Sequence, residues 1–325
     1  MYRNRGAFFQ QPRPNAWKQT RYRPPMDPLA SLGRLLQEQG YRFVTPTPET
    51  HRRVLARRGE AGDLRDVFGW SRAFEAKLLP PRMLALLREA GALEVASPGE
   101  PGRYRSGVRY STLGGLLFAH SAYPTLAADA VFFGPDTYRF ASLMQSRIIE
   151  SPGHVADVGC GSGAGGLLLA GRAASVQLLD ISPRALRFAA ANAELNGLRA
   201  RVAESDVLAG AQGPIDLVVA NPPYLADEQA RVYRDGGGPL GTALSVRIAR
   251  ESLDRLAPGG RLLLYTATPV VNGAHVLWPD LEPLLRHTKF DYRELDPDVF
   301  GEELERPAYA HAERIAVVAL DALKR

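Results

Sequence analysis

The chain of 325 residues is 45% hydrophobic and 23% charged, which are ordinary values for a soluble globular protein. This length is sufficient for two domains, and no apolar run approaches the length of a membrane span or of a secretory signal. The single cysteine, Cys160, excludes an internal disulfide and fits a reducing compartment. We therefore expect a cytoplasmic protein with no membrane segment and no metal site, whose oligomeric state the sequence leaves open.

The formal net charge of +5 is concentrated in residues 1–26. This segment holds six basic side chains and no acidic one, which leaves 34 basic against 35 acidic residues in the rest of the chain. Three interpretations are open: a flexible basic tail, an arm that contacts nucleic acid or the ribosome, or residues upstream of a true start at Met26. A nucleic-acid-binding field across the whole protein is not indicated.

Residues 27–128 predict a smaller, mainly helical domain for substrate recognition. A helix that starts at Pro81 and stops at Gly91, followed by two short extended runs, is typical of a winged-helix element. Three arginines on this element, Arg103, Arg105 and Arg109, could contact phosphates. The alternative is a hairpin that faces solvent, covers a substrate cleft or packs against a partner.

Residues 129–325 alternate between apolar strands and amphipathic helices, which predicts an α/β domain with a mostly parallel sheet and helices on both faces. In such sheets, ligands bind beyond the carboxyl ends of the strands. Four predicted strands end in residues suited to ligand binding: the glycine-rich 157-DVGCGSG, then Asp180, Asp206 and Asn221. The sequence therefore predicts one site, built from four strand ends.

The first three strand ends suit a nucleotide-like cofactor. Glycines allow tight turns and close approach of a ligand, and Asp180, some 20 positions later, can accept hydrogen bonds from ribose hydroxyls. Asp206 can accept one from an adenine amino group. Helix capping by Asp180 and a turn role for Asp206 are the alternatives. The predicted cofactor-binding residues are Asp157, Gly159, Cys160, Gly161, Gly163, Asp180, Ile181, Asp206, Val207 and Asn221.

The fourth strand end carries the predicted catalytic residues, Asn221, Pro222 and Tyr224. Prolines hold the chain extended, so the Asn221 side-chain oxygen and the Pro222 carbonyl can point together into the cleft. Two adjacent acceptors with an aromatic ring beyond them suit a planar group that bears an NH2. The loop 233–241, with three consecutive glycines, predicts either a mobile flap over the substrate or a loose turn.

In this order, DVGCGSG, LLD and NPPY resemble the class I S-adenosylmethionine-dependent methyltransferases, and they are similar to the HemK-type glutamine methyltransferases. The stretch 132-FFGPDTYRF supports this resemblance, because Pro135-Asp136-Thr137 matches a Pro-Asp-Thr that precedes the glycine loop in that family. The resemblance covers about residues 130–320. It implies a Rossmann-like seven-stranded sheet with a reversed final strand, and S-adenosyl-L-methionine as the cofactor.

The resemblance implies N-methylation of a planar nitrogen. A protein glutamine side chain is the first expectation for the substrate and thus for the partner, and adenine N6 in RNA or DNA is the main alternative. A small-molecule amine and a catalytically silent cofactor-binding regulator are the remaining ones. In each enzymatic case the methyl group would pass directly to a nitrogen held by Asn221 and Pro222.

Overall fold

The computed structural model describes residues 26–57, 59–97 and 102–325. The basic segment 1–25 lies outside the described residues, so its predicted role as a tail or arm stays a prediction. Within the described ranges, no helix is both long and apolar enough to cross a lipid bilayer.

The N-terminal part of the chain folds into short helices and strands. Its elements are α1 (Pro28–Glu38), α2 (Pro48–Arg57), α3 (Leu64–Phe68), β1 (Phe74–Glu75), α4 (Pro81–Glu89), β2 (Leu93–Val95), β3 (Arg103–Ser106), β4 (Val108–Leu113) and β5 (Leu116–Ser121). The proline at the start of α1 follows Asp27, whose side chain accepts a hydrogen bond from the N–H of Leu29 over 2.7 Å. Such a cap satisfies a backbone donor that the helix itself leaves free.

The C-terminal part alternates between strands and helices, as predicted. Its elements are α5 (Pro135–Arg147), β6 (His154–Val158), α6 (Ala164–Leu169), β7 (Ser175–Asp180), α7 (Pro183–Leu195), β8 (Arg201–Glu204), β9 (Leu217–Ala220), α8 (Ala243–Arg255), β10 (Arg261–Val271), β11 (Ala274–His275), α9 (Trp278–Leu281), β12 (Thr288–Asp296) and β13 (Arg314–Lys324). Short 3-10 turns occupy 76–78, 282–285, 301–305 and 307–309.

Seven of these strands form the central sheet, in the order β12-β13-β10-β9-β6-β7-β8. Strand β13 is antiparallel to both of its neighbours, while β10, β9, β6, β7 and β8 are parallel to one another. Strand β11 pairs only with the end of β10. The predicted α/β fold class, a Rossmann-like, mostly parallel sheet with a reversed final strand, is therefore confirmed.

Helices cover both faces of the sheet. One buried apolar cluster contains Phe140 of α5 and Leu167 of α6, and the other contains Ile248 of α8 and Leu281 of α9. Because side chains alternate between the faces of a strand, β10 supplies Leu263, Tyr265 and Ala267 to the first cluster and Leu262 and Leu264 to the second. This burial on both faces keeps the strand ends in fixed relative positions.

The N-terminal part has the strand order of a winged-helix element. Strands β1, β3 and β2 form an antiparallel sheet in that order, and α4 lies between β1 and β2 in the chain. The predicted second run of the hairpin is divided at Gly107, since β4 leaves this sheet and pairs with β5 instead. A Cβ at Gly107 would lie 2.6 Å from Glu94 Oε1, so a larger residue here would require the Glu94 side chain to move.

The β4–β5 hairpin joins the two parts of the molecule through Asn192 of α7 and Asn196, which caps the C-terminus of that helix. The side chain of Asn192 accepts from the N–H of Ala119 at 2.7 Å and donates to its carbonyl at 2.9 Å, and Asn196 bonds Leu117 in the same way. The two amides thus replace a neighbouring strand at the edge of β5. The N-terminal core also includes Phe188 of α7, so the proposed boundary near residue 128 separates parts that share a packed interface.

The three arginines of the predicted phosphate contact lie in different surroundings. Arg109 is only 3% exposed and lies over the Phe43 ring, 5.4 Å from its centroid, so it cannot contact a phosphate at the surface. Burial lowers the pKa of its guanidinium to about 10. Arg103 forms an ion pair with Glu60 at 3.5 Å, and Arg105 is exposed. An arginine-lined phosphate surface over all three residues is therefore wrong.

Candidate active site

The glycine-rich turn connects β6 to α6 at the carboxyl end of the sheet. Gly159, Gly161 and Gly163 all have positive φ angles, of 65°, 54° and 79°, a conformation that other residues adopt at a cost. A Cβ added at Gly159 would meet no atom within 4 Å, and one at Gly161 would meet only Val131 Cγ1 at 3.9 Å. The turn therefore borders open space and leaves its backbone accessible to a ligand.

Asp180 ends the neighbouring strand and bonds to this turn. Its Oδ2 accepts a hydrogen bond from the N–H of Gly161 at 2.8 Å, and its Oδ1 accepts one from the N–H of Ser182 at 2.9 Å. The carboxylate is 8% exposed, and burial raises its pKa against the opposing effect of these N–H groups. A carboxylate oxygen can accept more than one bond, so ribose hydroxyls can bind here without displacing the turn.

The side chains of Asp157 and Cys160 are both buried, so they are not exposed for direct contact with a ligand. Asp157 is 2% exposed, accepts a bond from the N–H of Gly166 at 2.7 Å, and has its pKa raised to about 7 by burial. The thiol of Cys160 is also buried, which raises its pKa well above the usual range. Both residues hold the turn in place, and their predicted ligand contacts remain predictions.

Ile181, Asp206 and Val207 follow the ends of β7 and β8. Ile181 is 55% exposed next to Asp180, an apolar surface suited to a flat ring. Asp206 is exposed and forms a two-bond ion pair with Arg247, with both distances 2.8 Å, which lowers the pKa of Asp206. Val207 is buried with φ +51°, a strained conformation for a β-branched residue. Arg247 was not identified from the sequence.

Asn221 begins directly where β9 ends, beside the glycine turn. Strands β6 and β9 are parallel neighbours, with Val158 opposite Ala220, so Gly159 and Asn221 leave the sheet side by side. Neighbouring strands are about 4.8 Å apart, so the ends of β6 and β9 are close enough for one chemical group of a ligand to lie beside both. Asn221 is half-buried and Pro222 is buried. The structure thus brings the turn, Asp180 and Asn221 to one edge of the sheet.

Tyr224 is buried, with 8% of its surface exposed. Burial is the main cause that raises its pKa, and the charge of Asp136 adds to this effect. The carboxylate of Asp136 accepts from the Tyr265 hydroxyl at 2.8 Å and from Arg139 at 3.1 Å. Asp136 lies in the quoted Pro-Asp-Thr, but its interaction with Tyr224 and Tyr265 joins positions that are distant in sequence.

The loop that follows the motif is packed against it. The N–H of Leu225 donates to the Arg234 carbonyl at 3.2 Å, and the N–H of Gly236 donates back to the Leu225 carbonyl at 2.9 Å. A Cβ at Gly236 would lie 1.9 Å from the Gly241 carbonyl oxygen. The glycines of this loop are therefore required for close packing, which favours a fixed loop over the predicted mobile flap.

Buried ion pairs fix the same loop to the segment before β13. The carboxylate of Asp227 is fully buried, accepts from Arg231 Nε at 2.8 Å, and lies 3.4 Å from Arg234 Nε. Arg234 also contacts Glu303, which binds Arg306 Nε at 2.8 Å. Hydrogen bonding to Arg231 is the main cause that lowers the pKa of Asp227 to about 2.

The residues at the carboxyl edge fit S-adenosylmethionine. The open space beside the glycine turn can admit a ligand close to the backbone, and the carboxylate of Asp180 can accept hydrogen bonds from ribose hydroxyls. The exposed apolar side chain of Ile181 can contact an adenine ring. The ion-paired carboxylate of Asp206 is not required for this fit. No cluster of metal-binding side chains occurs in the part of the chain that the structure describes.

Comparisons with known proteins concern the same region. Residues 133–271 match the family model described as "Methyltransferase small domain". A release factor glutamine methyltransferase from Bordetella pertussis is 32% identical over 211 residues, which are 59% of this chain and 73% of that protein. The chain belongs to the HemK-like S-adenosylmethionine-dependent methyltransferases. The family resemblance predicted from the motifs is thereby confirmed.

This HemK-like chain is also similar to relatives of which it covers a smaller share of the length. The release factor glutamine methyltransferase of Deinococcus radiodurans is 40% identical over 38% of this chain and 48% of its own length. A ribosomal RNA small subunit methyltransferase C from Alcanivorax borkumensis is 33% identical over 37% of this chain and 34% of its own length. The chain thus spans about a third to a half of these two relatives.

Proposed function

We propose that this protein transfers a methyl group from S-adenosylmethionine to a planar nitrogen, and that this nitrogen is the side-chain amide of a protein glutamine. The observation that carries the proposal is the position of Asn221 and Pro222 at the end of β9, beside the glycine turn at the end of β6. When bound, the cofactor supplies an electrophilic methyl group.

The protein's own residues position the acceptor nitrogen. The Asn221 side-chain oxygen and the Pro222 carbonyl each accept one N–H of the substrate NH2, which orients the nitrogen lone pair towards the methyl group. As the nitrogen gains positive charge, both acceptors bind its hydrogens more strongly than in the ground state. No side-chain base is required, since the proton becomes acidic only after transfer. Tyr224, which is buried and interacts with the charge of Asp136, holds the motif in place.

The charge around the motif favours a polypeptide over a nucleic acid. The cations of the adjacent loop, Arg231, Arg234 and Arg306, are bound to the buried carboxylates of Asp227 and Glu303. They are therefore not available to neutralise phosphates, which is the main source of affinity for nucleic acids. In addition, the relative of which this chain covers 73% is named a release factor glutamine methyltransferase, and a release factor is a protein.

A second candidate substrate is the exocyclic amine of a nucleic-acid base, with adenine N6 in RNA or DNA as the case expected from the sequence. The observation in its favour is the similarity to ribosomal RNA methyltransferases. A base amine presents the same planar NH2 to Asn221 and Pro222. A paired base would have to be flipped out of its helix to reach them.

The test compares the wild-type protein with Asn221→Ala, using labelled S-adenosylmethionine and a cell extract as the source of acceptors. We expect the variant to lose at least about 100-fold in transfer rate, as for removal of one group that stabilises transition-state charge. Its dissociation constant for the cofactor, measured by calorimetry, should change less than about twofold. Equal transfer by the two proteins would overturn the proposal.

A further inference from the structure

A cavity of about 310 Å³ lies in the N-terminal part, away from the glycine turn and the Asn-Pro-Pro-Tyr motif. Its lining comes from α2 and the residues after it, from the segment around Ser71, from β3, and from the turn at Tyr123 and Pro124. Nothing in the proposed transfer reaction uses these residues. The polar groups that line the cavity are mostly hydrogen-bond donors.

Two of the three arginines of this cavity have clear partners. Arg72 is buried, lies 3.4 Å from Asp66, and donates to the carbonyl of Val54 at 3.2 Å, so it holds the end of α2. Arg103 lies 3.5 Å from Glu60. Arg105 is exposed and has no ion pair with any residue in the described ranges. It is therefore the cation that a ligand can reach.

Two residues with hydroxyl groups, Ser71 and Tyr123, line the same cavity as Arg105. Ser71 Oγ accepts the N–H of Tyr123 at 3.1 Å, which leaves the hydroxyl proton of Ser71 free to donate. The ring of Tyr123 stacks on His51 with centroids 4.0 Å apart, so its position is fixed. A guanidinium with two hydroxyl donors is the donor set that binds a carboxylate.

The chain that leaves the cavity at Pro124 leads to the loop beside the catalytic motif. The chain runs from Tyr123 to Phe132, and along it the Thr125 carbonyl accepts from the Tyr233 hydroxyl at 2.7 Å and the Ala128 carbonyl accepts from the N–H of Val232 at 3.1 Å. Tyr233 belongs to the loop that is packed on the catalytic motif. The rings of Phe132 and Tyr233 stack, with centroids 6.3 Å apart.

Exposed apolar side chains mark the path between the cavity and this loop. Leu126 is 69% exposed and Val232 is 44% exposed, and the backbone contacts above place them on adjoining segments. A polypeptide that binds in the cavity and continues along this path approaches the loop that is packed on the catalytic motif.

We propose that the cavity binds one carboxylate side chain of the substrate polypeptide. Arg105 forms the ion pair, Ser71 and Tyr123 donate hydrogen bonds, and the apolar path at Leu126 and Val232 carries the intervening segment. This inference rests on the proposed function, because it takes a polypeptide as the substrate. It identifies the N-terminal part as a specificity element for acidic residues.

The experiment uses the full chain and fluorescent peptides with one central glutamine and three aspartates on one side, paired with peptides that carry asparagines instead. Anisotropy measures binding, and labelled S-adenosylmethionine measures transfer to the same peptides. We expect the acidic peptides to bind about tenfold more tightly than the neutral ones. In Arg105→Glu this preference should disappear, while in Arg250→Glu, an exposed control on α8, it should remain.

The outcomes separate this inference from the proposed function. Acid-dependent binding with no methyl transfer to any peptide would support the cavity and contradict glutamine as the acceptor. Transfer with no preference for acidic peptides would overturn the inference and leave the proposed function intact. Binding of a twelve-nucleotide oligouridine that depends on Arg105, with no acid-dependent peptide binding, would also overturn it.

Discussion

The N–H of Gly161 donates to Oδ2 of Asp180 over 2.8 Å, and this bond joins the turn after β6 to the end of β7. One carboxylate thus helps to hold the turn at positive φ, and in the proposed complex it also accepts hydrogen bonds from the ribose of the cofactor. Both the shape of the glycine turn and the affinity for the cofactor should therefore depend on Asp180.

We predict that Asp180→Ala weakens S-adenosylmethionine binding by about 100-fold, since it removes a charged acceptor of two ribose hydroxyls. Isothermal titration calorimetry measures the change. Asp254→Ala, an exposed aspartate on α8, is the matched control and should bind as the wild type does. Unchanged affinity in Asp180→Ala would place the ribose elsewhere.

The Asp136 cluster predicts graded effects at Tyr224. Tyr224→Phe keeps the ring but loses the buried hydroxyl that interacts with Asp136, so kcat should fall by about tenfold. Tyr224→Ala also loses the ring and should fall by at least about 100-fold. Steady-state kinetics, with KM and cofactor affinity measured alongside, checks this order. A purely structural role would lower stability in both variants without this gradation in kcat.

The loop after the motif should tolerate no side chain at Gly236. Gly236→Ala places a Cβ 1.9 Å from the Gly241 carbonyl oxygen, so we expect a loss of at least about 2 kcal/mol in the free energy of unfolding. Gly171→Ala, where a Cβ meets no atom within 4 Å, is the control. Hydrogen exchange adds a second measurement, because a packed loop is protected without substrate. Protection only in the presence of substrate would restore the mobile flap.

Asp227 predicts a specific dependence of stability on acid. Its folded-state pKa is about 2, below the usual value near 4, so its stabilising contribution is complete above about pH 4 and is lost as pH falls towards 2. Asp227→Asn should lower the free energy of unfolding by about 3 kcal/mol at pH 7, because it leaves Arg231 without its buried partner and removes one of the two acidic partners of Arg234. Denaturant titrations from pH 2 to pH 7 should show the difference between the two proteins shrinking in acid. A constant difference would contradict the assignment.

The sequence was sufficient to predict the order of elements and the location of the site. Glycine turns and apolar runs are local signals, and the rule that parallel strands present their carboxyl ends at one edge placed Asp180 and Asn221 together. Burial of Arg109, by contrast, depends on Phe43, which is 66 positions away in the chain. The partners of Asn192 and Tyr224 are equally distant in sequence, so periodicity and spacing carry no signal for them.

The most direct measurement is the chemical identity of the methylated group formed by the purified protein in a cell extract with labelled S-adenosylmethionine. Nuclease and protease digestion separate the products, and mass spectrometry locates the methyl group. We expect label that survives nuclease and is released by protease. This label should lie on a glutamine side-chain nitrogen and should be absent with Asn221→Ala. Label released by nuclease as a methylated base would contradict glutamine as the substrate, and undiminished label with Asn221→Ala would contradict the site itself.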